Sequence, residues 1–192
     1  MPLALASAYF ADMTTWGKHS DGEEYLVYNT GHRYRKKIQV KIIGHVMEDM
    51  LDRQLHPEVA HSVIETEAHT LSIQLRASDK PTRKPLFYAA VANLKKMEDR
   101  VQVGEVVPVN LWMSGRGVRP DTIFLSTNVV RGRRPQKVSV QRHDGSEVDA
   151  QHINSKLQNK DVAAIFTVRH HVAHGFVETF HGILECLRIC PH

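Results

Sequence analysis

At 192 residues the chain is the size of one domain. With 42% hydrophobic and 24% charged residues it has the composition of a folded globular protein, which excludes collagen-like, low-complexity and largely disordered classes. No apolar stretch approaches the ~20 residues of a membrane-spanning helix, because Lys, Arg or His interrupts every candidate. The net charge of +4 is uneven: residues 31–142 carry 20 Lys and Arg against 11 Asp and Glu, while both ends are mildly acidic, so an anionic partner is expected at the middle of the chain.

Met1 to Ala11 is rich in Leu and Ala, but no basic residue precedes its apolar run, and that run is too short for a secretory signal. Residues 1–24 are expected to form a poorly ordered arm, and residues 25–192 a single domain. The run Tyr25 to Tyr28, closed by Asn29, Thr30 and Gly31, predicts a first strand. Next, Ile38, Val40 and Ile42 alternate with Lys37, Gln39 and Lys41, the period of a half-buried strand with a basic outer face. Pro57, Val59, Val63 and Glu67 then stand at helical spacing.

Leu71, Ile73 and Leu75 restore the two-residue period. The Leu86 to Met97 stretch, rich in Ala, Leu and Met and ending near Lys95 and Lys96, predicts a helix whose last turn carries cations suited to its dipole. Strand character returns from Val101 to Trp112, from Thr122 to Val130, and at Val138 and Val140, the last closed by the Asp144-Gly145 turn. A short helix from Val148 to Leu157 precedes a hairpin made of Ala164 to Val168 and Phe176 to Phe180. This order predicts a single α+β domain: an antiparallel sheet with helices packed against it and a C-terminal β-hairpin.

Two basic features are candidate binding surfaces for nucleic acid or lipid. Arg35, Lys37 and Lys41 share parity on one strand, and Arg131, Arg133, Arg134, Lys137 and Arg142 form the densest positive cluster. Aromatic residues are sparse beside both, which favours attraction to a phosphate backbone over stacking on bases. The thirteen histidines, with Cys186 and Cys190, do not assemble a zinc signature. The ligand order is reversed relative to zinc fingers, and a hairpin sends alternate histidines to opposite faces. No metal and no cofactor is expected, and two cysteines are too few for a disulfide framework.

No G-x-S-x-G elbow, phosphate-binding loop, H-E-x-x-H or dinucleotide-binding turn is present, so the chain is not expected to be an enzyme. One alternative stands beside this. Arg169 and His174, in an R-x4-H arrangement followed by Gly175 and Phe176, resemble the catalytic motif of the HEPN ribonucleases, which implies metal-independent RNA cleavage by a dimer. That family is entirely helical, whereas Ile165, Thr167, Val168, Val172 and Gly175 disfavour a helix here.

The basic alternating strand Lys37 to Ile42 and the loop entering the helix Lys84-Pro85-Leu86-Phe87-Tyr88 resemble the globular domain of rhabdovirus matrix proteins. So do the strand from Val138, the helix carrying His152, Ile153, Asn154 and Ser155, and the final hairpin. That resemblance implies a non-enzymatic, self-associating assembly protein that bridges viral nucleocapsid or RNA to an acidic membrane. It would place the chain in the virion and at the cytoplasmic face of the host membrane, with the Arg-rich turn able to serve nuclear import. The chain departs from the family's better-known members in lacking a Lys-rich arm and a Pro-Pro-x-Tyr motif.

Overall fold

The structure, a computed structural model, describes residues 2–30, 36–47, 52–55, 69–101, 122–127, 138–173 and 177–191. In chain order the strands are β1 (Leu3–Ala4), β2 (Thr14–Lys18), β3 (Glu24–Tyr28), β4 (Val40–Val46), β5 (Asp52–Leu55), β6 (His69–Arg76), β7 (Thr122–Ser126), β8 (Ser139–Gln141), β9 (Asp161–Ala173) and β10 (Val177–Ile189). The helices are α1 (Phe10–Met13), α2 (Lys84–Glu98) and α3 (Ile153–Leu157), the last entered through a 3-10 turn at Ala150–His152. The helix predicted from Pro57 and the strand predicted from Val101 to Trp112 fall outside the described residues, save Val101.

The alternation read from the sequence becomes the wall of a barrel. Val40 and Ile42 on β4, Leu71, Ile73 and Leu75 on β6, Ile123 and Leu125 on β7, and Ala164, Phe166 and Val168 on β9 are all buried in one core. β4 pairs with β6, β6 with β7, β7 with β10, β10 with β9, and β9 returns to β4, which closes a ring of five strands. The sheet is therefore mixed and closed, where an antiparallel one was expected. β7 runs parallel to β10, and β1 and β8 also add in parallel, to β4 and β10. Closure removes the exposed edges that an open sheet would leave.

The C-terminal hairpin is longer than expected, with thirteen residues in each strand. Residues 161–166 of β9 pair with β4 inside the ring, while Arg169 and His170 pair with β3, which extends the sheet beyond it through β2. Where the strands leave the ring, Trp16, His170 and Phe180 pack their rings together, and His170 Nδ1 lies 2.8 Å from Glu24 Oε2.

Helix α2 packs against β4 and α1. Its buried residues Phe87, Ala90, Val91, Leu94 and Met97 recur at helical spacing, and Pro85 in its first turn has no amide hydrogen to leave unpaired. The arm expected at residues 1–24 is instead part of the fold. Leu3 and Leu5 donate backbone hydrogen bonds to Gln39 and Lys41, Phe10 is fully buried, and the Asn93 amide of α2 donates to the Leu5 and Ser7 carbonyls. Leu5, Phe10 and Ala11 are apolar surface with somewhere to go, and the seam between α2 and the barrel takes them.

Gly44 lets the helix come close. A Cβ there would lie 3.0 Å from Leu75 Cβ, 3.1 Å from Phe87 Cε2 and 3.2 Å from the Arg76 carbonyl oxygen. Two of those atoms are fixed by backbone, so Gly44→Ala is expected to cost about 1–3 kcal/mol, seen as a lower urea midpoint at unchanged slope.

Candidate functional site

Five strands closed in the order first, second, third, fifth, fourth, with the third and fifth parallel, make the OB-fold. In proteins built on it, the second and third strands and nearby loops hold oligonucleotides or oligosaccharides. Here those strands are β6 and β7. A fold does not fix a ligand, so the side chains outside the barrel decide what the face can do.

Register places one row of side chains across five strands. Gln74 of β6 stands opposite Phe124 of β7. One residue back from the parallel pair Gly182 and Leu125, Phe124 comes beside His181 of β10. His181 stands opposite Arg169 of β9, and Arg169 opposite Tyr25 of β3. With strands about 4.8 Å apart, Phe124 and Arg169 stand roughly 10 Å from each other. Two residues along, Ser126, Ile183 and Thr167 form a second row. Neither row contains a carboxylate.

Phe124 is half-buried and His181 exposed, so an aromatic face and an imidazole meet solvent on the outside of the barrel. Arg169 is half-buried, and its Nε is buried without a hydrogen-bond partner. A partly desolvated guanidinium with an unpaired donor gains from an anion. At the far end, Lys37 Nζ sits 3.4 Å from the centre of the Tyr25 ring and 3.2 Å from Asp21 Oδ2, and the Tyr25 hydroxyl also donates to Asp21. Burial would raise the Asp21 carboxyl, but hydrogen bonds from the Glu23 amide, Lys37 and Tyr25 hold it below its ordinary value.

Of the basic residues expected to bind, Lys37 and Lys41 keep the outward parity of their strand but pair with different neighbours. Lys37 bridges to Val27 beside β3, whereas Lys41 is exposed on β4 against β9. Arg142 braces the β8 turn by donating to Ser146 Oγ and the Glu147 carbonyl. Arg35, Arg131, Arg133, Arg134 and Lys137 lie outside the described residues, as does His174. Phe124 was not singled out in the sequence. The signal was its phase: in Thr122 to Ser126, Ile123 and Leu125 face the core, and Phe124 is the aromatic out of step between them.

A second polar cluster is structural. Ser78 Oγ, Arg83 Nη1 and His45 Nδ1 all converge on the Asp161 carboxylate, at 2.7, 2.7 and 3.0 Å. Both Ser78 and His45 spend their hydrogen bonds on Asp161, so this is not a nucleophile-base relay. Burial pushes the Cys186 and Cys190 thiols up, which keeps them protonated and poorly nucleophilic. Among the described residues no group of three His, Cys, Asp or Glu is placed to hold a metal.

No protein-family model and no curated protein matches the chain. Among solved structures it is similar to a C-terminally truncated single-stranded DNA-binding protein from bacteriophage Enc34, at 12% identity over 95% of this chain and 97% of that one, with a TM-score of 0.49. It is also similar to the Enc34 protein in complex with single-stranded DNA, at 11% identity over 93% and 96%, with a TM-score of 0.48. A third is gp2.5, a single-stranded DNA-binding protein encoded by bacteriophage T7, at 10% identity over 79% and 90%, with a TM-score of 0.42.

The closed ring and the local structure of β9 correct both functional expectations. The likeness to rhabdovirus matrix proteins rested on the order of strands and helices along the chain, which does not tell an open sheet from a closed ring. Here the strands close into a ring, so that order along the chain carries no assembly role over to this protein. The ribonuclease reading fails on local structure: Arg169 lies in the middle of a thirteen-residue strand, where the helical motif would need a turn of helix.

Proposed function

We propose that this protein binds single-stranded nucleic acid, without chemistry, across the outer face of β6, β7, β10 and β9. The observation that carries the proposal is the row Phe124, His181, Arg169. A flat apolar ring next to an imidazole and a half-buried guanidinium whose Nε has no partner, with no carboxylate among them, offers a stacking surface for a base and a grip for its phosphate. Stacking needs an unpaired base, so the row favours single strands over duplex. Lys41 adds an exposed cation on the adjoining face of the barrel.

Single-stranded DNA is the first probe, since it is what the phage proteins above bind. In anisotropy titrations with a labelled oligonucleotide, Phe124→Ala is expected to weaken binding about 5- to 100-fold, the stacking energy of one base. Arg169→Gln should weaken it less and reduce the slope of log K against log salt by about 0.7, one phosphate contact. Wild-type affinity in both variants, or equal affinity for duplex, would refute the proposal.

A further inference from the structure

We infer that Lys37 is a phosphate subsite at the end of this row, closed in the free protein by Asp21 and opened when a phosphate displaces that carboxylate. The inference rests on the binding face proposed above and extends it by one contact. Tyr25 is the next residue of the row after Arg169, and Lys37 lies directly over its ring. The ammonium therefore stands where a strand that had passed Phe124 and Arg169 would place a following phosphate.

What occupies that place is Asp21, whose Oδ2 takes both Lys37 Nζ and the Tyr25 hydroxyl at 3.2 Å while Oδ1 takes the Glu23 amide at 3.1 Å. The side chains of this pair are 29% and 43% exposed, so water screens their attraction and little is lost when the partner is exchanged. The Tyr25 hydroxyl and the Glu23 amide keep the loop carboxylate supplied with donors after Lys37 leaves it. Lys37 retains the Tyr25 face in either state, which holds the ammonium in position for the incoming anion.

The test compares Asp21→Asn, Lys37→Gln and the double variant in salt-dependent titrations with the same single-stranded oligonucleotide. Asn keeps the acceptor for the Glu23 amide but drops the competing charge, so Asp21→Asn is expected to tighten binding roughly two- to fivefold. Lys37→Gln should weaken binding and lower the salt slope by about 0.7. In the double variant the gain from Asp21→Asn should disappear, because no ammonium is left to release. If Lys37→Gln changes neither affinity nor slope, or if Asp21→Asn tightens binding equally without Lys37, the subsite does not exist. The Asp21→Asn arm also guards against a loosened hairpin, which would not tighten binding. Should Phe124→Ala weaken binding while these variants do nothing, only the subsite falls. Should Phe124→Ala be inert as well, the binding face itself falls.

Discussion

Asp161→Ala is expected to lower stability by about 3–5 kcal/mol, the scale for removing one partner of a buried ion pair. Its carboxylate is the common acceptor for Ser78 of the segment after β6, Arg83 at the start of α2 and His45 of β4, and Arg83 also donates to the Pro191 carbonyl. Four parts of the chain thus meet at one side chain. Its loss strands a guanidinium whose side chain is only 18% exposed and a Ser78 hydroxyl in a buried residue. Chemical denaturation at neutral pH measures the cost directly.

The same site gives a pH dependence with a definite sign. Burial alone would raise the Asp161 carboxyl, but the hydrogen bonds from Ser78, Arg83 and His45 outweigh it and hold the folded-state pKa below the ordinary value. As pH falls, the unfolded chain takes up this proton first. The contribution is therefore complete above the ordinary carboxylate pKa of about 4 and is lost as pH drops through the lower folded value. The stability gap between wild type and Asp161→Asn should narrow on acidification, and a gap constant down to pH ~2 would contradict this assignment.

Phe87→Ala is expected to cost about 3–5 kcal/mol, because it empties the place where α2 packs against Gly44 of β4. Phe87 is fully buried, and its ring edge fills the space that a side chain at position 44 would need. That juxtaposition allows a sharper check than the single variant. In a Phe87→Ala background the methyl of Gly44→Ala enters vacated space, so its penalty should shrink, giving a coupling of about 1 kcal/mol in a double-mutant cycle. Strict additivity would mean that the two residues do not share this contact.

Much of the wall was legible in the chain. Ile38, Val40 and Ile42, then Leu71, Ile73 and Leu75, announce their burial by a two-residue period, and the Asp144-Gly145 turn and the final hairpin follow from local chemistry. Ring closure was not legible, because it depends on which distant strands meet. Nothing near Val40 says that it will lie beside Phe166, or near Leu125 that it will run parallel to β10. The N-terminal segment misled for a related reason: Leu5 and Phe10 have too few apolar neighbours in sequence to signal a core, and find theirs in space. At the binding face, counting charge drew attention to Arg131, Arg133 and Arg134, whereas Phe124 and Arg169 become neighbours only through the pairing of β7, β10 and β9.

The seam between β4 and β9 also sets a timetable. Val40 cannot meet Phe166 until the chain through β9 has left the ribosome, so β4 must wait with one side unsatisfied during synthesis. Maturation should consequently be slow for a molecule of this size, and a chain arrested before β9 should be readily digested by protease and dependent on chaperones.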